Sequence, residues 1–576
     1  MSKKMKTIGK MVVACCFCLA SMHCASERRF ANRPLIIEEN DTRTIAKPEA
    51  KNISLYEDAI DNIFIQEIDE LANLPWHVRK LSNNPRQAMN LNVLGEVANS
   101  SWFTNRHAKH PLSLSELKRG PNSGTPPAQD GPLTIMGAKL EGVTPGFRIQ
   151  DRKGDIYFVK FDIKGYPEMQ TAAEVITTKF VYAAGYNTPE NYLSNLDPKQ
   201  LQIAENVTVK NRWGREVPMT LQFVEKILDK AHRNANGTYR IVASKLLEGE
   251  PLGPFSYHGR RNDDPNDRIP HQHRRELRGY KVLAAWLNNS DTKANNTLDM
   301  YVTENGRRFV RHYLIDFGTS LGSGGYGAAG TSRGHRGAFD LGKMLLKIFS
   351  LGLWVEPWEK QPGLISPAVG YFESKLFNPG NYAFIIPNPA FQRGTSLDVF
   401  WGAHLVMSFT DEQIRAIVET GQYSNPEDEE YVIKTLIERR DKTGRYWYRQ
   451  VNPLDDFRVI ETTDGHYAIQ FTDLAVEAGF EAASETIYRY KAIAQNGELS
   501  DYFFVAGKPV LELDAKMVEM IDHRQQTAKS GGSENIIALR IETKRGKRVS
   551  WSTYVEVYFH YSINNGRVPQ IIAVER

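Results

Sequence analysis

Asn288-Asn-Ser-Asp-Thr-Lys-Ala-Asn-Asn296 and Leu314-Ile-Asp-Phe-Gly318 are the two segments on which the interpretation of this chain depends. Apolar residues at helical spacing predict a helix over 274–288 that leads into the first segment. Two predicted strands, at 297–303 and 308–317, meet at Asn305-Gly306, a dipeptide favoured in tight hairpins. The pattern therefore predicts a helix, a polar loop, a hairpin and a second polar motif, in that order.

The polar residues of these two segments suit phosphoryl transfer. That reaction needs an acid near the attacking hydroxyl, a lysine that offsets phosphate charge, and oxygen ligands for a Mg²⁺ ion that bridges the phosphates. Asp291, Lys293 and Asn296 have the spacing Asp-x-Lys-x-x-Asn, and Asp316 begins Asp-Phe-Gly. Either motif alone is weak, because an Asn-rich loop with an Asp is more often a simple turn. Their order around a hairpin favours a shared function.

Upstream segments add a second charged pair. Alternating and helical apolar patterns predict three strands and one helix, at 134–140, 147–151, 155–161 and 171–184. Lys160 falls on the third strand and Glu174 on the helix, which ends at Gly185. A strand lysine and a helix glutamate can form the pair that positions nucleotide phosphates. Taken alone, each residue would be assigned to a solvated surface.

In these residues the chain resembles the protein-kinase-like fold, over roughly 133–454. The resemblance implies that ATP is the nucleotide and Mg²⁺ or Mn²⁺ the metal. By the same resemblance Lys160 would bind phosphate and Glu174 would orient it. Asp291 would be the catalytic acid or base, Lys293 would neutralise the transferring phosphoryl group, and Asn296 and Asp316 would hold the metal.

Some expected features of ordinary kinases are missing from the sequence. No Gly-x-Gly-x-x-Gly precedes Lys160, and the nearest equivalent is Glu141-Gly-Val-Thr-Pro-Gly146, in which Gly142 and Gly146 would cover phosphates. Asn289-Ser290 replaces the usual His-Arg, and no Ala-Pro-Glu follows. The pattern is similar to the atypical branch, which includes bacterial toxin-type, spore-coat, secretory-pathway and phosphatidylinositol kinases. The segment 244–249, with Glu248, would be the hinge that meets adenine.

A glycine-rich loop follows Asp316, with eight glycines among residues 318–337. It is interpreted either as a lid that closes on nucleotide or as a flexible connector. Within it, Gly318-Thr-Ser-Leu-Gly322 matches the nucleophile elbow of serine hydrolases, with Ser320 as the nucleophile. An elbow must lead into a helix, whereas here further glycines follow. A serine hydrolase is therefore kept as a second alternative.

The amino terminus has the pattern of an export signal. Four lysines precede an apolar run at 11–22 that is too short to span a bilayer. All four cysteines lie in residues 1–24, so cleavage there would leave a thiol-free chain and lower the net charge from +4 to zero. Cys24 is the candidate lipoprotein acceptor, although Ser21 and His23 depart from the usual signal. The other interpretation is an uncleaved N-terminal anchor.

The remaining patterns complete the predicted organisation. Helical patterns occur near 54–72 and at 338–353, 398–420 and 428–442; strand patterns from about 464 onward predict strands at 484–494, 501–513, 535–544, 550–561 and 569–574. The predicted fold class is α+β, with a two-lobed kinase-like core and a small β-rich C-terminal domain. The predicted parts are a signal peptide at 1–24, an N-terminal extension and linker at 25–132, a kinase-like domain at 133–454 and the β-rich domain at 455–576.

The sequence thus predicts an exported ATP- and Mg²⁺-dependent phosphotransferase, periplasmic or held at a membrane as a lipoprotein. Its acceptor, whether protein, lipid or small molecule, is left open. The near-neutral charge argues against nucleic-acid binding, and membrane contact is expected only through the N-terminal lipid or leader. The alternative is a kinase-like binding or scaffold protein without catalysis, since ATP is scarce outside the cytoplasm.

Overall fold

The structure is a computed structural model that describes residues 40–53, 74–82, 85–138, 146–210, 215–337, 341–351, 353–494, 497–513, 536–561 and 568–576. The chain divides into two compact units. Among the described residues, the larger comprises those from 40 to Leu91 together with Glu96–Val451, and the smaller comprises Asn92–Gly95 and Asn452–Arg576. The predicted α+β class is confirmed, because the chain combines a six-stranded mixed sheet with several antiparallel sheets and many helices. The predicted signal peptide and the predicted helix near 54–72 lie outside the described residues.

The first half of the larger unit is built around a sheet. Its elements, in chain order, are α1 (Leu74–Leu81), α2 (Leu114–Arg119), β1 (Leu133–Ala138), β2 (Gly146–Gln150), β3 (Ile156–Phe161), α3 (Met169–Ala184), β4 (Asn191–Leu196), β5 (Leu201–Ile203), β6 (Thr208–Lys210), β7 (Glu216–Pro218), α4 (Leu221–Leu228) and β8 (Tyr239–Lys245). Six strands form one sheet in the order β4-β8-β3-β2-β1-β5, in which only β1 and β5 are parallel. β6 and β7 form a separate pair.

One face of this sheet forms a hydrophobic core. Tyr157, Val159 and Phe161 alternate along β3 and are buried in it together with apolar residues of the neighbouring strands and of α4. The alternation turns Lys160 to the other face, because successive side chains of a strand point to opposite sides. Helix α3 is buried along nearly its whole length and ends at Gly185, whose φ of +125° favours glycine.

The second half of the larger unit is mostly helical. Its elements are β9 (Glu250–Gly253), α5 (Arg275–Trp286), β10 (Thr297–Glu304), β11 (Arg307–Leu314), α6 (Leu341–Phe349), α7 (Pro389–Gln392), α8 (Ser396–Met407), α9 (Asp411–Val418) and α10 (Pro426–Trp447). Helix α8 packs against α5 and α10, while β9, β10 and β11 form a small antiparallel sheet. The segment 246–249 connects β8 of the large sheet to β9 of the small one.

The predicted helix over 398–420 is wrong in one respect, because it is two helices. Thr410 caps a new helix, since its side chain accepts a hydrogen bond from the Gln413 amide while the Gln413 side chain accepts one from the Thr410 amide. This capping box starts α9, whereas α8 ends at Met407. The hairpin prediction is confirmed, because Asn305 and Gly306 both have positive φ, as a tight primed turn requires.

The smaller unit is rich in β-strands. Its elements are β12 (Leu454–Glu461), β13 (Tyr467–Asp473), α11 (Leu474–Glu477), β14 (Thr486–Ala494), β15 (Gly497–Glu498), β16 (Phe503–Ala506), β17 (Val510–Glu512), β18 (Ile536–Arg545), β19 (Val555–Tyr561) and β20 (Pro569–Glu575). The predicted strand 501–513 is two strands, β16 and β17, because Gly507 has φ of +70° and turns the chain between them. Among the described helices of the whole chain, none combines the length and apolar character needed to cross a bilayer.

Candidate functional site

Lys160 and Glu174 form a buried ion pair between β3 and α3. The Lys160 Nζ atom lies 2.9 Å from the Glu174 Oε2 atom, and the glutamate side chain is only 1% exposed. Burial alone would lower the pKa of the Lys160 ammonium, but the carboxylates of Asp316 and Glu174 reverse that effect and hold the pKa above its usual range. Lys160 is therefore a fixed cation, and Glu174 holds it in place.

The helix that carries Glu174 is fixed at its first turn by Asp162, two residues after Lys160. Glu168, at the start of α3, supplies no side-chain cap. The Asp162 carboxylate instead accepts hydrogen bonds of 2.9 Å from the backbone amides of Gln170 and Thr171. An acid at a helix amino terminus satisfies free amides and the helix dipole together. Asp162, which directly follows β3, thus positions helix α3, and Lys160 of β3 contacts the glutamate of that helix.

The loop after α5 holds the second group of predicted residues. The Lys293 Nζ atom lies 2.9 Å from the Asp291 Oδ2 atom, and the two side chains are 21% and 17% exposed. The Asn296 side-chain amide donates a hydrogen bond of 2.6 Å to the backbone carbonyl of Asp291. Asn388 donates one of 3.1 Å to the Thr292 carbonyl. The loop is therefore held by one hydrogen bond within itself and by another from the helical half of the unit. The side chains of Asp291 and Lys293 remain partly exposed to solvent.

The β10–β11 hairpin brings Asn296 and Asp316 to the same end of the small sheet. Thr297 pairs with Leu314 in the register, and the next amide along, that of Ile315, donates a hydrogen bond of 3.0 Å to the Asn296 carbonyl. Asp316 follows with φ of +62°, a left-handed conformation that non-glycine residues rarely adopt. Such conformations persist where surrounding contacts enforce them, often at functional sites.

Asp316 and Phe317 both contact the Lys160–Glu174 pair. The Lys160 Nζ atom lies 2.9 Å from the Asp316 Oδ1 atom as well as from Glu174. The Phe317 amide donates a hydrogen bond of 3.0 Å to the Glu174 Oε1 atom. A Cβ atom at Gly318 would lie 3.1 Å from the Glu174 Oε2 atom, so a glycine there leaves room for the carboxylate. Phe317 and Gly318 therefore adjoin Glu174 directly, while Asp316 shares the lysine that Glu174 binds.

Arg333 connects the glycine-rich loop to the loop that holds Asp291. Its Nη1 atom donates hydrogen bonds to the Ser290 hydroxyl at 3.0 Å and to the Thr319 carbonyl at 3.1 Å. The Leu321 amide also donates to the Leu287 carbonyl, at the end of α5. The first and the later part of the glycine-rich loop are thus both tied to the chain around Asp291.

The structure contradicts the nucleophile-elbow interpretation of Ser320. The side chain is fully buried, and its hydroxyl lies 2.7 Å from the Phe317 carbonyl and 2.5 Å from the Thr177 hydroxyl. An elbow exposes its serine before a helix, whereas Gly322, with φ of +94°, continues a turn here. Ser320 therefore packs the loop against α3, and a substrate has no access to it.

The other predicted residues are placed as follows. Gly146 begins β2 and is paired with Lys160 across the sheet. Glu248 is exposed in the segment that connects the two sheets of the larger unit. Gly142 and Cys24 lie outside the described residues. Of the predicted site residues, the structure thus brings together Lys160, Glu174, Gly146 and Asp316, and it sets Asp291, Lys293 and Asn296 in one loop joined to Asp316 by the hairpin.

The donor atoms present fit a hard divalent cation shared with a nucleotide. Because the Asn296 amide nitrogen donates to the chain, its amide oxygen is the atom left for a ligand. The Asp316 side chain is 38% exposed, so its carboxylate can be reached. The described residues contain no cluster of three or more His, Cys, Asp or Glu that would hold a metal alone. Mg²⁺ commonly binds through one or two protein oxygens plus substrate phosphates, which this donor set allows.

Sequence reasoning missed three residues that support the site: Asp162, Arg333 and Asn388. Asp162 could have been found from its position two residues after Lys160 and just before a predicted helix that lacks a capping residue. Arg333 carries a weaker signal, as one of two arginines in the otherwise nearly uncharged glycine-rich loop. Nothing local to Asn388 indicates its partner, which is 96 residues away.

Comparisons with known proteins give a likeness of fold. No protein-family model matches the chain, and no curated protein matches it. Among solved structures, it is similar to the proinflammatory kinase CtkA of Helicobacter pylori, with 13% identity, a TM-score of 0.30, and coverage of 56% of this chain and 98% of the kinase. It is also similar to the Golgi casein kinase with Mn and ADP bound, with 10% identity, a TM-score of 0.27, and coverage of 73% and 92%. At these low scores the functional argument rests on side-chain geometry alone.

Proposed function

We propose that this protein is an ATP-dependent phosphotransferase that uses Mg²⁺ or Mn²⁺. One observation carries the proposal: the Lys160 ammonium lies 2.9 Å from the carboxylates of both Glu174 and Asp316. A strand lysine that pairs with a helix glutamate beside the acid of Asp-Phe-Gly is the arrangement that kinases use for nucleotide phosphates.

Each residue has a role that its environment allows. Lys160 would bind the α- and β-phosphates, and Glu174 would fix its direction. Asn296 and Asp316 would hold the divalent cation, which when bound neutralises charge on the β- and γ-phosphates. Gly146 and Glu248 would face the nucleotide from the sheet and from the connecting segment.

Asp291 and Lys293 would act on the transferred group. The Asp291 carboxylate would accept the proton of the acceptor hydroxyl as the acceptor oxygen bonds to the γ-phosphorus. The bond between that phosphorus and the bridging oxygen breaks, and ADP leaves with the electron pair. Lys293, 2.9 Å from Asp291, would offset the charge on the phosphoryl oxygens. The proton then passes from Asp291 to solvent.

The proposal is tested by nucleotide binding and transfer with the purified chain. ATP with Mg²⁺ or Mn²⁺ should raise the melting temperature, and label from γ-labelled ATP should move to an acceptor or to the protein itself. Asp316→Asn should abolish the metal-dependent stabilisation. The matched control is Asp456→Asn, which removes an exposed acid of the smaller unit. If ATP stabilises neither the wild type nor the control, the enzymatic proposal fails.

The same experiment separates two neighbouring possibilities. Transfer of label from α-labelled ATP would identify nucleotidyl transfer, since the α-phosphate is retained by ADP when only the γ-phosphate moves. Binding of ATP without transfer of either label would favour the kinase-like scaffold. Measuring both labels on one protein preparation therefore decides which chemistry the site performs.

We also propose that the chain is exported and lipidated at Cys24. The support is the lysine-rich leader and its apolar run, which lie outside the described residues. Metabolic labelling with a fatty acid should mark the wild type and leave Cys24→Ala unlabelled. A wild type that stays unlabelled and cytoplasmic would contradict this proposal without affecting the enzymatic one.

A further inference from the structure

A group of apolar side chains in the larger unit is exposed to solvent. They lie in the segment Leu345–Val355, at the end of α6 and among the described residues that follow it. Phe349 is 81% exposed, Leu351 is 89% and Leu353 is 84%. Ile348, Trp354 and Val355 are each about half exposed or more. Exposed single hydrophobic residues are ordinary, but several of them within one short segment mark an interaction surface.

At the end of α6, several of the exposed apolar side chains and the charged Lys347 lie on opposite sides of the helix. At 100° per residue, Leu345, Ile348 and Phe349 fall within an arc of about 100°, and Lys347 lies on the opposite side. The Lys347 Nζ atom lies 2.7 Å from the Glu359 Oε1 atom, so the lysine is held toward the turn at Pro357–Lys360. Helix α6 contains no acidic residue. The apolar side is therefore free of charge that would oppose burial.

The composition of this segment fits a lipid surface better than a protein partner. Protein interfaces concentrate their binding energy in Trp, Tyr and Arg, whereas Leu and Val are under-represented there. Helices that lie in a membrane interface instead carry Leu, Phe and Trp on one side and lysine on the other. The exposed residues here are mainly Leu, Ile and Phe, with one tryptophan toward the end of the segment. The segment is also too short to cross a bilayer, so it would lie on the surface.

We propose that Leu345–Val355 binds the surface of a lipid bilayer, with its apolar side chains in the boundary between headgroups and acyl chains. From Leu341 to Lys360 the sequence has three lysines and two glutamates, so attraction to anionic lipid is weak and apolar burial drives the contact. One short apolar segment gives reversible binding, and stable attachment needs a second anchor. The inference is independent of the proposed enzymatic activity.

The test is hydrogen exchange with mass spectrometry on the full chain, with and without phosphatidylethanolamine–phosphatidylglycerol vesicles. A localised readout is needed because the apolar leader could itself bind vesicles. Vesicles should slow exchange across 345–355, and raising the salt concentration should leave that protection in place. Phe349→Asp combined with Leu351→Asp should reduce the protection by about tenfold, because charge on the apolar side opposes insertion.

The matched control is Phe504→Asp combined with Val549→Asp, which changes two exposed apolar residues of the smaller unit. It should keep the protection of 345–355. No slowing by vesicles would overturn the proposal. Slow exchange of 345–355 without vesicles would also overturn the proposal. If that slow exchange depended on protein concentration, a second copy of the chain would cover the segment. If it were independent of concentration, another part of the same chain would cover it.

Discussion

Arg333 donates a hydrogen bond of 3.0 Å to the hydroxyl of Ser290, the residue immediately before Asp291. Ser290 stands where the resemblance would place the arginine of His-Arg-Asp, and the positive charge beside Ser290 comes from Arg333 of the glycine-rich segment. Arg333 acts as a positioning residue, because it holds the side chain next to the proposed catalytic acid and also binds the Thr319 carbonyl of the glycine-rich loop.

Arg333→Ala should therefore lower kcat by about 10- to 100-fold, since small displacements of a catalytic group have effects of this size. The KM for ATP should stay near the wild-type value, because the phosphate-binding residues are not touched. Steady-state kinetics checks both parameters, and Arg336→Ala, an exposed arginine of the same loop, is the control. Equal kcat values for the two variants would contradict the assignment.

Lys160→Met should separate the structural from the chemical role of the ion pair. Removing the lysine leaves the buried Glu174 carboxylate without its cation, which should cost about 3–5 kcal/mol in the free energy of unfolding. Lys160→Met combined with Glu174→Gln should recover much of that stability, because the buried charge is gone. Denaturant titration measures the recovery. Transfer activity should stay below about 1% of wild type in both variants, since the phosphate-binding cation is missing in each; a double variant that regained activity would show that Lys160 is not needed for chemistry.

Gly318→Ala should reduce activity through Glu174. The added Cβ atom would lie 3.1 Å from the Glu174 Oε2 atom, so the carboxylate that holds Lys160 has to shift. We expect about a tenfold loss in kcat/KM. Gly330→Ala is the control within the same loop, because its Cβ atom would meet only the Ser332 hydroxyl, at 3.7 Å. Equal losses of kcat/KM in the two variants would show that the effect comes from reduced flexibility of the loop and not from displacement of Glu174.

Lys179 should make stability depend on pH in the alkaline range. Burial lowers the pKa of this α3 lysine to about 8, and its Nζ atom donates to the Lys118 carbonyl. Below pH 8 Lys179 is charged in the folded chain, and burial of that charge lowers the free energy of unfolding by its full amount. Between pH 8 and about 10.4, the pKa of a lysine in the unfolded chain, the unfolded chain binds more protons than the folded one. The free energy of unfolding therefore rises with pH in this range. Lys179→Met should therefore be more stable than wild type at pH 7, by about 2–4 kcal/mol, and the difference should shrink toward pH 10. Denaturant titrations at the two pH values measure it, and a constant difference would contradict the assignment.

The candidate site residues that could be predicted from sequence share one property: each lies on an element with a clear apolar pattern or in a short motif next to one. Lys160 on β3 and Glu174 on α3 are of this kind, as are Asp291 and Asp316 around the hairpin. Motifs and apolar periodicity can be recognised within a short stretch of sequence. The register of the hairpin then brings the residues on either side of it close together in space.

The remaining features depend on contacts between distant segments. Arg333 contacts Ser290, which lies 43 residues earlier in the chain. The loop around Arg333, from Phe317 to Gly337, has no helical or strand periodicity that would predict this contact. Ser320 fits a local motif of hydrolases, yet its burial against α3 decides its role, and burial of a loop residue has no sequence signal. The break between α8 and α9 is not predicted for a different reason, since the apolar pattern continues past the cap at Thr410.

The hairpin between Asn296 and Asp316 also bears on how such sites can be recognised in other chains. Because the two residues flank paired strands, their separation in space depends on register at the base of the hairpin and not on the number of residues in it. Pairs of residues added near Asn305-Gly306 would lengthen both strands and leave the base unchanged, whereas a single added residue within one strand would turn its side chains to the wrong face. A motif search that fixes the interval at twenty residues would therefore overlook chains with the same site, and one that lets it vary in steps of two would find them.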